Sequence, residues 1–159
     1  VARFHLLGAG PPGAPAGLFL EYGHVRLGFD GGPGSEPPEH IQAWLVCVPS
    51  EPLRLVALQA GMPVPVRDRF ERGSVHVLPL EDGTGAWGYR VICGQRLAVW
   101  APGCRAFPEW AEGADLMFAP GDPAIARLAG IARVRRLITL GPSRTPFGER
   151  AREGALYRL

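Results

Sequence analysis

The chain contains no lysine and no asparagine, only three cysteines and two methionines, and no long apolar run. Without lysine there is no Gly-Lys-Ser/Thr phosphate loop. The Gly-rich stretches 8–17 and 31–34 therefore read as turns, and the first holds too many prolines to offer a cradle of N–H groups. Three scattered cysteines exclude a disulfide framework and a Cys-x-x-Cys zinc site. Cys47 and Cys93 lie in apolar strand-like runs and read as buried, inert thiols. Cys104 stands beside Arg105, with no His or Asn placed to serve it, and reads as a loop cysteine. No apolar run approaches the ~20 residues that cross a bilayer, so no membrane role is expected. The opening Val1-Ala-Arg-Phe-His-Leu-Leu-Gly8 turns to Gly and Pro before a signal-peptide core develops, and a cytoplasmic location is the expectation.

The composition that remains is 47% apolar and 20% charged over 159 residues, which predicts one globular domain spanning 1–159. All 17 basic side chains are arginine, and they are unevenly spread. Residues 127–159 hold eight of them against Glu149 and Glu153, a net of +6, while the first 126 residues carry a net of −4. This asymmetry marks Arg133, Arg144, Arg150 and Arg152 as candidate anion-binding residues, set against the plainer reading of a solvated, Arg-decorated face. Arg135 and Arg136 are adjacent on a strand and point to opposite faces, so only one can join a given patch.

Periodicity and breakers give the element order. Arg3–Leu7 is a strand. Leu18–Tyr22 and Val25–Asp30 form a hairpin around Gly23-His24, and Ile41–Val48 is a buried strand. Leu53–Ala60 makes two helical turns, and Pro63 and Pro65 keep 62–66 extended. Ser74–Leu80 is a strand, followed by a hairpin of Ala86–Cys93 and Arg96–Ala101, then a strand over Ala114–Ala119. Asp122-Pro123 announces a helix over Ala124–Ala132, with Asp as N-cap and Pro in the first turn. Arg135–Leu140 is a strand, and Pro146–Leu156 is predicted as a last helix capped by Thr145.

In order and spacing these segments resemble the metallo-β-lactamase superfamily, most of all its small phosphodiesterase and RNA-processing members. Phe4-His-Leu-Leu-Gly-Ala-Gly10 is similar to the family's opening strand and Gly turn, and the hairpin ending at Asp30 to the one that ends in a family Asp. Val77–Asp82 with Trp87-Gly-Tyr-Arg-Val91, then Arg96–Gly103, Ala114–Phe118 and Val134–Gly141, resemble the later strands that present the remaining ligands. The resemblance implies an α/β, αββα sandwich. Only 29 positions separate Leu53 from Asp82, so the helical part is trimmed.

The same resemblance implies a pair of metal ions held by imidazoles and carboxylates, which polarise substrate and activate a bridging water. Its ligand positions fall on Val48, Ser50, Pro52, Leu53, Asp82, Gly103 and Gly141. Of these only Asp82 is a strong ligand for a hard cation, and three protein ligands are the usual minimum for catalytic zinc. The sequence therefore predicts a degenerate member with no metal, no cofactor and no catalytic residue. His5, His24, His40 and His76 share no spacing that would rebuild a site. Glu81 and Asp82 could serve as a general acid/base pair if their environments split their pKa values, set against the plainer reading that adjacent strand residues point to opposite faces, one inward and one to solvent.

Asp30 takes a structural role, accepting N–H bonds from the loop around Val48–Leu53. The function expected is a binding or scaffold domain that meets a protein partner or a second copy through apolar surface at Trp44, Phe70, Trp87, Trp110 or Phe147. The competing reading is a divergent metal-dependent hydrolase or phosphodiesterase built around Asp82. A nucleic-acid partner is weakly supported, since only Phe147 and Tyr157 accompany the basic end.

Overall fold

Alternating burial along the first strands sets the architecture. In β1 (Arg3–Gly8), β2 (Gly17–Tyr22) and β3 (Val25–Asp30), the side chains of Phe4, Leu6, Leu18, Leu20, Leu27 and Phe29 are all fully buried. The three strands form an antiparallel meander that turns this apolar face inward. A short β4 (Ala43–Leu45) adds parallel to β3. The structure is a computed structural model and describes residues 1–159.

The second sheet begins with β5 (Phe70–Arg72), β6 (Val75–Glu81), β7 (Trp87–Cys93) and β8 (Arg96–Trp100), joined antiparallel. It continues in parallel through β9 (Leu116–Pro120), β10 (Leu137–Leu140) and β11 (Glu149–Arg150). The chain then crosses back, and β12 (Leu156–Arg158) pairs antiparallel with the edge of β1. The two sheets face each other across a core that includes Phe29, Tyr89, Trp100 and Phe118. Phe29 meets Tyr89, and Trp100 meets Phe118, edge to face at 5.6 Å, a favoured aromatic geometry.

One helix covers each outer face. α1 (Glu51–Ala60) lies over Phe19, Ile41, Trp44 and Val46 of the five-stranded sheet. α2 (Pro123–Ile131) lies over Val99, Met117 and Leu137 of the other. The layers are therefore helix, sheet, sheet, helix, with each helical layer a single short helix; between Leu53 and Asp82 only α1 remains, as the spacing predicts. No helix is long and apolar enough to cross a membrane.

α2 starts where expected, with the Asp122 carboxylate accepting from Ala124 N and Ile125 N at 2.8 and 3.1 Å. α1 begins two residues earlier than predicted. Ser50 is its N-cap, Pro52 sits in its first turn, and Gly61 closes it in the left-handed conformation at φ 66°.

The helix predicted over Pro146–Leu156 is absent. Gly148 and Gly154 sit at φ 109° and 78°, which ends any helical run. The segment instead makes β11 and β12, and Thr145 turns its hydroxyl onto Phe147 O rather than capping a helix. The residues 155–158 alternate, so Tyr157 enters the core between exposed Leu156 and Arg158, a strand signal that the helical reading overlooked. The predicted strand 41–48 shrinks to β4, because Val46 N bonds Val66 O and Cys47 N bonds the Asp30 side chain instead of a ladder partner. β5 was not predicted. It forms because Gly73, at φ 57°, closes a tight turn onto β6.

Candidate functional site

The loops that follow β1, β3, β8 and β10, together with the segment entering α1, converge at one end of the sandwich. Gly8 marks why the first loop folds over this end. A Cβ there would stand 2.1 Å from Pro15 O and 2.9 Å from Ser35 Cβ, so only glycine permits the approach. Ser35 Oγ donates to Pro15 O at 2.6 Å, and Gly141 N donates to Ala9 O at 2.9 Å, which ties the loops after β3 and β10 to it.

Pro15 divides two cavities. The first, about 360 Å³, is walled by Pro11, Pro15, Pro102, Leu140 and Gly141. The second, about 280 Å³, is walled by Pro15, Asp30 and the Gly31–Pro33 turn after it, Val48, Ser50, Pro52, Leu53 and Val56. The first four candidate ligand positions thus share one cavity, and Gly141 lines its neighbour. Gly103 and Asp82 line neither, although Pro102 does reach the first.

Asp82 is engaged elsewhere. Its Oδ1 accepts from Thr84 N at 2.7 Å, Thr84 Oγ1 at 2.6 Å and Ala86 N at 3.3 Å. Its Oδ2 accepts from Arg105 N at 2.8 Å and Ala106 N at 3.4 Å. Burial pulls the carboxyl's pKa upward, but these bonds outweigh it and hold the pKa at about 2. The group closes the 82–86 turn and pins the loop after β8, leaving little lone-pair capacity for a cation. Glu81 is exposed at the end of β6, and Asp82 lies just beyond the strand. Replacing Asp82 by Ala should lower the unfolding free energy by about 0.5–1.5 kcal/mol, since most of its donors stay open to water. Because its folded pKa lies below the unfolded value, this contribution is complete above the unfolded carboxylate pKa and is lost as pH falls toward about 2. Denaturant melts of parent and variant from neutral pH downward should therefore converge in acid.

Asp30, at φ 50°, sends its carboxylate into the core. Oδ1 accepts from Cys47 N at 2.8 Å, and Oδ2 accepts from Cys47 Sγ at 3.0 Å and from Trp100 Nε1 at 2.8 Å. Its backbone carbonyl accepts from Trp44 Nε1 at 2.8 Å. The donors come from Cys47 and two indoles, so the role expected at Val48–Leu53 is taken by the residue just before that stretch. Burial raises the pKa of the Asp30 carboxyl, against the lowering effect of these bonds.

The cysteines offer no activated thiolate. Burial pushes Cys104 up to about 12, with the Asp82 charge adding to it, and Cys93 up to about 11. Burial and the neighbouring Asp30 likewise raise Cys47. The histidines stand away from both cavities. His5 stacks on Phe19 and meets Glu21 at 2.9 Å, and His76 is exposed opposite Glu71. No set of three His, Cys, Asp or Glu side chains is grouped so as to hold a metal ion. Valine, proline, leucine and a capping serine do not fit a zinc pair.

Of the basic residues, Arg144 and Arg150 come together. With Thr139, Thr145 and Gly148 they line a cavity of about 280 Å³ that contains no carboxylate. Arg150 also borders a smaller cavity shared with Gly10, Gly13 and Gly141, which links this site to the mouth near Pro11. Arg133 lies at the exposed end of α2, and Arg152 lines none of these cavities. Arg135 faces Asp115 at 3.7 Å, and Arg136 pairs with Glu149 and lies over the Tyr157 ring. Both cations are thus drawn off to separate partners.

The apolar surface is not where the aromatic residues suggested. Trp44 is fully buried, and Phe70, Trp87, Trp110 and Phe147 are partly covered. Arg67 caps Trp87 at 4.2 Å, and Trp110 Nε1 donates to Glu81 O. Aliphatic side chains are open instead, among them Val48 at 72%, Ile131 at the end of α2 at 70%, and Leu55 and Leu58 on α1.

No protein-family model and no curated protein sequence matches the chain. Solved structures do match along its whole length. The metallo-β-lactamase fold protein YhfI from Bacillus subtilis is 13% identical with a TM-score of 0.71, covering 99% of this chain and 100% of its own. The short form of human tRNase Z is 12% identical with a TM-score of 0.65, covering 98% of each chain. A diphosphatase from the PhnP family is 12% identical with a TM-score of 0.65, covering 98% of this chain and 96% of its own. The chain therefore has the metallo-β-lactamase fold.

Proposed function

We propose that this chain is a binding domain on the metallo-β-lactamase fold, in which the end that carries a metal centre in catalytic members serves as a contact surface. The observation that carries this reading is the environment of Asp82, the one inherited position with a strong ligand atom. Both of its oxygens are already saturated by Thr84, Ala86, Arg105 and Ala106. Val48, Ser50, Pro52 and Leu53 wall the cavity where the other ligands would stand, and the one carboxylate that borders it, Asp30, is engaged by Cys47 and Trp100. No step of hydrolysis follows from such a set.

The test is turnover of a generic phosphodiester, bis(p-nitrophenyl) phosphate, by the protein supplied with zinc or manganese. The expected result is no hydrolysis above the buffer rate. Turnover that disappears in Asp82→Asn would instead establish a divergent hydrolase around Asp82.

The cavity formed by Arg144 and Arg150 supports an anionic ligand as part of this binding role. Arginine forks match phosphate oxygens, and no carboxylate lines the cavity to compete for them. Neighbours named as a tRNase and a diphosphatase are consistent with a phosphate-bearing ligand. Binding of a short RNA should weaken steeply with salt, and the double variant R144A/R150A should weaken it at every salt concentration and flatten the salt slope. R133A, remote from the cavity, should leave it unchanged. Equal loss in both variants would return these arginines to a general basic surface.

A further inference from the structure

The cavity of about 360 Å³ at the loop end is chemically one-sided. Three prolines, three glycines, two alanines and Leu140 line it, and none carries a polar side-chain atom. Its backbone is largely spent as well. Gly10 N, Gly13 N and Gly141 N donate to Ala14 O, Gly10 O and Ala9 O, and the prolines have no N–H to offer. The carbonyls of Pro15, Ala16 and Leu140 already accept from Ser35 Oγ, Gly31 N and Gly121 N. A nucleobase or sugar placed here would leave its own polar groups unpaired, a cost that an apolar body avoids.

The neighbouring space has the opposite character. Gly10, Pro11, Gly13 and Gly141 also line the smaller cavity of about 200 Å³, which Arg150 borders, and Arg150 in turn borders the cavity of Arg144. Neither guanidinium has a carboxylate within ion-pair distance, whereas Arg26, Arg54, Arg96, Arg135 and Arg136 each do. β11 pairs Arg150 with Thr139, one residue before Leu140, so the cation stands beside the strand end that lines the apolar cavity. Glu153 borders the smaller cavity too. Its Oε1 accepts from Ala14 N at 2.9 Å, and one carboxylate against two unpaired guanidiniums leaves the site cationic.

We propose that this end of the sandwich binds a small amphipathic phosphate ester, its compact apolar group beside Pro11, Pro15 and Pro102 and its phosphate at Arg150 and Arg144. This deepens the proposed anion-binding role by naming the ligand class, and it rests on that reading. Small-molecule sites combine an apolar wall with a few polar groups that fix orientation. An apolar cavity of about 150 Å³ is enough for benzene, so the cavity here takes a body of one or two rings. The proline rings are rigid, so little ordering cost is added when the ligand arrives. Gly141 stands at φ 85° with nothing within 4 Å of a Cβ, so the lack of a ligand side chain at this inherited position leaves the space open.

Calorimetric titration of the intact protein with naphthyl phosphate, phenyl phosphate, inorganic phosphate and naphthol tests the proposal. Affinity should rise from inorganic to phenyl to naphthyl phosphate. The last should bind at least ~30-fold tighter than the first, since about two buried methylene groups carry a factor of ten. Naphthol, which lacks the anion, should bind at least ~10-fold more weakly than its phosphate. R144A/R150A should bring naphthyl phosphate down to the level of naphthol. Ala16→Phe, which fills the cavity from a half-buried position, should bring it down to the level of inorganic phosphate and leave inorganic phosphate itself unchanged. Should Ala16→Phe not fold by circular dichroism, the ligand series on the unmodified protein decides alone. No binding, equal affinity across the phosphate series, a naphthyl gain that survives in folded Ala16→Phe, or binding that R144A/R150A leaves intact overturns the proposal. Inorganic phosphate and short RNA that bind through Arg144 and Arg150, with no gain from the naphthyl group, would refute the ligand class and leave the anion site standing. Fluorescent naphthol released from the ester in an Asp82-dependent manner would refute the binding reading and leave the ligand class standing.

Discussion

Asp30→Ala is expected to lower the unfolding free energy by about 3 kcal/mol or more, since it strips the acceptor from several buried donors at once. The Cys47 amide, the Cys47 thiol and the indole of fully buried Trp100 all lose their partner, and no other side chain stands ready to replace it. The effect should depend on pH in the opposite sense to that of Asp82. Burial raises the folded pKa of Asp30, so its titration contributes stability that is present below the unfolded pKa and lost as pH rises through the folded value. Urea melts of the parent and Asp30→Asn, which titrates no group at this position, should show the parent gaining relative stability as pH is lowered. A parent-to-variant difference that is flat with pH would place the carboxyl in solvent.

Trp44→Ala should cost about 3–5 kcal/mol, the range for truncating a fully buried large aromatic side chain. Trp44 is 0% exposed beneath α1, and its Nε1 donates to the Asp30 carbonyl at 2.8 Å. Leu58→Ala on the solvent side of the same helix should change stability by less than about 0.5 kcal/mol in the isolated protomer. The contrast separates what holds the fold from what stands open on it. Thermal melts at low protein concentration measure it, and similar losses in both variants would mean that α1 packs through its other face.

Much of the architecture was legible from local pattern. The alternation in 4–6, 18–20 and 25–29, the Gly23 and Gly94 turns and the Asp122-Pro123 start all describe elements whose local signal agrees with their tertiary setting. The C-terminal segment failed for a physical reason. Pro146–Leu156 offers a plausible cap and helix formers, yet Gly148 and Gly154 break it, and its pairing is decided by β10 and by β1, the second of them distant in sequence. β4 shortened for a related reason: the Asp30 side chain takes the Cys47 amide that a longer ladder would use.

At the site, residue type revealed which positions cannot bind metal, because valine and leucine have no ligand atoms wherever they point. That Asp82 is spent on Thr84, Arg105 and Ala106 was not legible, since two of those donors are backbone groups more than twenty residues away. Nor did hydrophobicity alone identify the open surface. The aromatic residues were the natural candidates, but size favours their burial, and the smaller aliphatic residues of α1 were left outside. The convergence of Arg144 and Arg150 likewise needed the crossover from β10 to β11, which a helical reading of that segment concealed.

The central claim is that this end of the sandwich is a contact surface and not a metal centre. Elemental analysis by plasma mass spectrometry, on protein purified without chelator and then equilibrated with zinc, manganese or iron and desalted, tests it most directly. The account predicts that no metal is retained at stoichiometric level and that Asp82→Ala leaves the metal content unchanged. Retention of stoichiometric metal that is lost in Asp82→Ala would contradict it.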